Sequence, residues 1–194
     1  GAFIEDERVI HRHRQLSLVL VVLLGAIITS ALMRMSLYVG YFGLTTDRVY
    51  ATALMAWLAV VFVALAFTVL RGRSRLFAAM TVLSGFLTIL VLNALDPDLM
   101  VTRVNLGRAT AERGVDYEYL ARLSGDAVPT VVEALNAATP SPGACKAADA
   151  LRSRWQPQEV ASWNLGDRRG RAAVLRNLPA AEAQRLCTVA TVVR

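Results

Sequence analysis

The sequence predicts an all-α membrane protein, with three transmembrane helices followed by a small extracytoplasmic helical domain. Three observations predict it. Residues 16–95 are almost continuously apolar, basic residues cluster beside the apolar runs rather than inside them, and residues 96–194 return to the mixed composition of a water-soluble helical segment. The expected division is a short N-terminal segment at 1–15, a membrane region at 16–95 and a helical domain at 96–194. The last boundary falls at Asp96-Pro97, because proline disfavours helix in the residue before it and the flanking aspartates need water.

The first apolar run, Leu16–Met33, has 18 residues and spans about 27 Å as a helix, close to the hydrocarbon thickness of a bilayer. A secretory leader fits it poorly, since the run is long and no small-residue cleavage site precedes Arg34. The chain begins at Gly1 rather than methionine, which suggests processing or a longer parent polypeptide. The second run, Val49–Leu70, and the third, Leu76–Leu95, carry no charge and no polar stripe. No ionisable side chain lies deep in any of the three, which argues against a stand-alone pump or transporter.

Arginines in short loops set orientation. Arg71, Arg73 and Arg75 mark the second connection as cytoplasmic, and Arg12 and Arg14 place the N-terminus on the same side. The Arg34–Arg48 loop and the C-terminal domain are then external, which in a bacterium means the periplasmic side of the inner membrane. Arg34, Tyr38, Tyr41, Phe42 and Tyr50 form an expected interfacial elbow, because tyrosine suits the headgroup layer and arginine can snorkel into it. Within the spans, Gly25/Thr29, Thr52/Ala56 and Thr81/Gly85 have the spacing that permits close helix approach, and Asn93 could bond to a neighbouring helix.

Beyond Asp96 the pattern is helical. A first helix begins near Leu99 with Gly114 as its C-cap, and a second covers about 116–123. Asp126 reads as the N-cap of a third, ending at Ala138. Ser141 caps a fourth at about 142–156. A fifth begins at Ser162 or Asn164 and stops before Pro179, and a sixth covers about 180–192. Trp155 and Trp163 are expected to anchor this small core. The only two cysteines, Cys145 and Cys187, both fall in it. A disulfide is the expected state outside the cytoplasm, and two buried thiols are the alternative.

Catalytic sets are hard to assemble. His11 and His13 lack a third metal ligand nearby, the serines have no histidine on their side of the membrane, and Glu118, Asp126 and Glu133 read as helix-surface carboxylates. No phosphate-binding glycine loop is present. No cofactor or metal is expected. The net charge of +6 does not imply nucleic acid as a partner. Residues 96–194 hold 13 basic against 11 acidic side chains, and the rest of the excess flanks the spans, where it suits anionic lipid.

Several stretches resemble the DUF4153/DUF4173 integral membrane proteins, a bacterial family of unknown function. They are Arg34-Met35-Ser36-Leu37-Tyr38, Tyr41-Phe42-Gly43-Leu44-Thr45, Arg48-Val49-Tyr50-Ala51, Leu92-Asn93-Ala94-Leu95-Asp96-Pro97-Asp98, Val104-Asn105-Leu106, Asp126-Ala127-Val128-Pro129 and Ser162-Trp163-Asn164-Leu165. The resemblance implies the C-terminal part of such a protein, with further membrane helices upstream, and supplies no catalytic residues. The expected role is a non-catalytic accessory or scaffolding subunit of a larger bacterial inner-membrane complex, such as a respiratory or photosynthetic one, contacting lipids and other membrane subunits. An envelope-sensing module that binds a ligand or protein through its periplasmic domain is the alternative. An enzyme acting on lipid at the elbow is the weakest reading, since no nucleophile–base pair can be named.

Overall fold

In the computed structural model, residues 7–69, 74–109, 114–155 and 164–188 are described, and among them every regular element is a helix. The chain divides at Leu95/Asp96 into two units. The first contains α1 (Glu7–Phe42), α2 (Thr46–Val69) and α3 (Ser74–Leu95). All three are long and apolar enough to cross a bilayer, over Gln15–Phe42, Thr46–Thr68 and Leu76–Leu95. The chain is therefore a membrane protein by the length and composition of its helices.

α2 packs against both α1 and α3. The seam between α2 and α3 is built on Trp57. Its indole Nε1 donates to Ser84 Oγ at 3.2 Å, and its ring lies where a Cβ on Gly85 would sit 3.6 Å away. The small residue at 85 thus admits an indole rather than a second backbone. Gly25 has open space around it, and the Thr29 hydroxyl donates to the Gly25 carbonyl of its own helix, so this pair makes no helix–helix contact. Asn93 likewise turns back to the Ile89 carbonyl instead of reaching a neighbour. With so little of each helix covered, many apolar side chains point outward, Leu83 being 72% exposed. Such a surface is stable only against hydrocarbon.

Two expected boundaries move. α1 does not end at Met33 but continues to Phe42, so Tyr38, Tyr41 and Phe42 stand on helix and the turn shrinks to Gly43-Leu44-Thr45. Backbone in the headgroup layer is free to remain helical, because a helix satisfies its own hydrogen bonds whatever the surrounding solvent. α1 also runs through residue 15 without a break, so Arg12, which is exposed, and the backbone positions of His11, His13 and Arg14 are helical rather than a loose segment.

The second unit contains α4 (Pro97–Gly107), α5 (Tyr117–Leu120), α6 (Val128–Ala137), α7 (Pro142–Arg154), α8 (Leu165–Asn177) and α9 (Ala180–Cys187). Asp96 opens it in the left-handed region, φ 47°, which a short polar side chain tolerates, and its carboxylate accepts from Leu99 N. Asp98 then accepts from Ser124 N at 2.9 Å, fastening α4 to the segment before α6. α4 ends at Gly107, not at Gly114, and α5 is a single turn capped by Asp116. Ser141 caps α7 through Ala144 N, and Asn164 caps α8 through Gly166 N.

The core is aliphatic: Val101, Leu120, Val128, Val131, Val132, Leu135, Leu151, Leu178 and Leu186 are fully buried, and small residues let the helices approach. The tightest approach is between the segment before α6 and the start of α8. A Cβ on Gly125 would lie 2.6 Å from the Gly166 backbone, and one on Gly170 would lie 2.8 Å from the Gly125 carbonyl. Asp126 does not cap α6, whose N-cap is Ala127 without a side-chain bond. Its carboxylate lies against Gly166 in the first turn of α8, where the helix dipole favours negative charge. Trp155 is buried at the end of α7, whereas Trp163 and Ser162 lie outside the described residues, as does the chain beyond Thr188.

Candidate membrane-interface site and the disulfide

The elbow is built from the last two turns of α1 and the first of α2. Arg34, Tyr38 and Phe42 are spaced four apart and share a face of α1, with Tyr41 beside them. Tyr38 and Phe42 stack, ring centroids 4.6 Å apart at 30°. Gly43 ends the helix with φ 84°, and Gly43 N donates to the Val39 carbonyl, the glycine C-terminus that lets a chain reverse. Leu44 is buried beneath the turn. Arg48, one turn into α2, closes the arrangement: its guanidinium lies 4.9 Å from the Tyr38 ring centroid and donates to the Gly43 carbonyl. It satisfies a carbonyl that the helix end leaves without an internal donor, and it holds the aromatic pair against the turn.

In the sequence Arg48 is only the end of a loop. The signal that singles it out is an arginine just beyond a glycine turn, within reach of a tyrosine one turn before it. Tyr50 is exposed on α2, and Tyr41 is 73% exposed on α1. Arg34 is also exposed, two turns before the end of α1 rather than at its end. The site therefore offers aromatic rings and guanidinium groups to its surroundings. It offers no nucleophile with a base beside it among the described residues. Of the orientation-setting arginines, Arg75 occupies the first turn of α3, and Arg71 and Arg73 lie outside the described residues.

In the second unit Cys145 and Cys187 are joined, linking α7 to α9 across 42 positions of sequence. Asp149 Oδ2 lies 3.9 Å from Cys145 Sγ. The two sulfurs and this carboxylate come within 4.8 Å of one another, but sulfurs bonded to each other present no thiolate for a metal. Glu118 pairs with Arg122 at 2.7 Å on an exposed helix face, and Glu133 is exposed. Among the described residues, neither carboxylate has a partner that would make it an acid or base. Tyr117 has its hydroxyl pKa raised above the usual value by burial.

A second arginine pattern carries no local sequence signal. Arg185 donates to the carbonyls of Leu135, Asn136 and Ala138 at the end of α6. Arg152 donates to the Leu178 carbonyl at the end of α8. Arg154 stacks on Trp155 and donates to the carbonyls of Arg122 and Leu123, just after α5. Arg185 and Arg152 fill the donor deficit of a neighbouring helix's C-terminus and meet the negative end of its dipole, whereas Arg154 satisfies carbonyls of the turn after α5.

Three bilayer-length helices joined to a disulfide-tied helical unit define a polytopic membrane protein with a folded polar domain. A family model described as a domain of unknown function, DUF4153, matches residues 4–134, and the chain belongs to that family. The match covers the three membrane helices, the elbow, α4, α5 and α6 as far as Ala134, and leaves α7 to α9 outside it. Comparison with curated proteins and with solved structures found no match.

Proposed function

We propose that the chain is a non-catalytic membrane subunit that packs its helices against other membrane proteins and carries its helical domain on the periplasmic face of a bacterial inner membrane. The observation that carries this reading is the thinness of the membrane unit. Among the described residues of the membrane unit, only α2 packs against two other helices, and no ionisable group lies in the deep part of any span. A unit with so much outward apolar surface and no charge to conduct or catalyse with suits a scaffold completed by further membrane helices, whether of the same polypeptide or of other subunits. The elbow would then set the depth of the hairpin, its aromatic rings and Arg34 lying in the headgroup layer.

The orientation rests on the arginines between α2 and α3, which favour the cytoplasmic side, and on the disulfide, which favours an oxidising compartment for the second unit. Purification of the full chain in mild detergent, followed by size analysis and identification of what co-purifies, tests the subunit role. A stoichiometric membrane partner is the expected result, and a lone monomer would sink it. Accessibility of an introduced cysteine at Ser153 to an impermeant thiol reagent in spheroplasts tests the orientation, labelling being expected only if the domain is external.

A further inference from the structure

We propose that the exposed face of α8 is a membrane-surface docking face that binds anionic lipid headgroups. At about 100° per residue, Leu165, Arg168, Arg169, Ala172, Leu175 and Arg176 fall within an arc of about 120° on one side of the helix. The opposite side carries Gly166, Gly170, Ala173 and Val174, which are buried against the core. The outward arc thus holds three arginines and two leucines, and no acidic residue. Asp167, the one carboxylate of the helix, projects from the other side.

The arginines of this arc differ from the three that tie the helices of this unit together. Arg152, Arg154 and Arg185 are committed to backbone carbonyls at or just after helix ends. Arg168, Arg169 and Arg176 are exposed and make no ion pair or hydrogen bond among the described residues. The leucines are also out of place for a water-facing surface. Leu165 is 56% exposed and Leu175 is 51% exposed, and among the described residues of this unit the only other exposed large hydrophobic side chain is Met100. Singly, an exposed leucine is ordinary. Here two stand about 15 Å apart on one face, with uncommitted arginines between and beside them.

Guanidinium groups beside short apolar anchors match the headgroup layer, where phosphates lie just above acyl chains. The chain also supplies the encounter. α3 ends at Leu95 and α4 begins at Pro97, so one residue separates this unit from a membrane span. Tethering at that distance makes lipid contact an intramolecular event, and a weak surface affinity suffices. That favours lipid over a free acidic protein, which would gain nothing from the tether. This inference does not depend on the subunit role.

The test uses the full chain in nanodiscs with Ala172→Cys, which lies in the arc but leaves its leucines and arginines in place, carrying an environment-sensitive dye, since the native cysteines are joined and leave no other free thiol. The emission should shift to the blue in discs containing phosphatidylglycerol relative to phosphatidylcholine alone, and high salt should reverse the shift. Arg168→Gln, Arg169→Gln and Arg176→Gln together should abolish it, each removal weakening surface binding about fivefold. The same three positions changed to Lys should retain the shift, which separates loss of charge from loss of fold. Identical emission in both lipids, or a shift that survives the triple Gln change, would overturn the proposal. So would a shift that needs an added acidic protein instead of anionic lipid.

Discussion

The two units of this chain are both helical, yet they place their leucines on opposite sides. In the membrane unit Leu83 and Leu90 face outward, and among the described residues only Leu44, Ala64 and Thr68 are buried. In the second unit Leu135, Leu151, Leu178 and Leu186 are fully enclosed. The difference is that of solvent. Hydrocarbon gives no reason to hide an apolar side chain, so the membrane helices are held by a few specific contacts such as the Trp57–Ser84 hydrogen bond. Water drives the second unit to close around a core, and its cross-helix ties lie at helix ends, where carbonyls meet arginines.

The largest expected effect separates the units by their dependence on the cross-link. Replacing Cys145 and Cys187 with serine should destabilise the second unit by about 4 kcal/mol, from loop closure over 42 positions. Thermal unfolding of the full chain in detergent should then show its domain transition at a lower temperature. The helical signal of the membrane unit should persist above it. A single transition that moves down as a whole would mean that the units unfold together, and an unchanged one would mean that the cross-link adds no stability.

Glycines sharpen the same contrast. Gly125→Ala would push a methyl group into the Gly166 backbone, which cannot yield as a flexible side chain does, and should cost about 1–3 kcal/mol or more. Gly25→Ala in α1 meets open space and should leave the melting temperature of the membrane unit unchanged. Equal losses at both positions would show that Gly25 is covered by a partner helix, and the co-purification experiment would then identify it.

Arg185→Met should cost the second unit about 1–3 kcal/mol, because three carbonyls at the end of α6 lose their donor while the aliphatic stem is largely kept. Arg48→Met removes the same kind of contact at the elbow. At the headgroup depth proposed for the elbow, water and headgroups would replace the lost donor, so a smaller loss is expected. Chemical denaturation of each variant, read against wild type, checks the ranking.

The three spans were legible in the sequence because charge-free runs of bilayer length are rare in water-soluble proteins. Their ends were less so. Arg34 looked like a terminus, but an arginine two turns before the end of α1 is compatible with a helix that continues into the headgroup layer. Asp126 had the local pattern of an N-cap. Its carboxylate went instead to the start of α8, about 40 positions away, and no local pattern carries that information. The carbonyl-capping arginines were illegible for the same reason: Arg185 is a helix-surface residue until α6 is set beside it. The cysteines were legible as a pair because there were only two.

The smallest effect is a pH dependence confined to the second unit. Burial disfavours the charged phenolate of Tyr117 and raises its pKa above the unfolded value near 10. The folded state therefore holds its proton more tightly than the unfolded state. The resulting contribution is fully present below pH of about 10 and is lost as the pH rises through the folded pKa. Because Tyr117 is only partly covered, the loss should be a modest one, visible as a fall in domain melting temperature in alkaline buffer. Tyr117→Phe should flatten that fall while leaving the neutral-pH melting temperature close to wild type. Tyr38, Tyr41, Tyr50 and Tyr119 remain in the variant, so an alkaline loss that persists undiminished would assign the effect to another group.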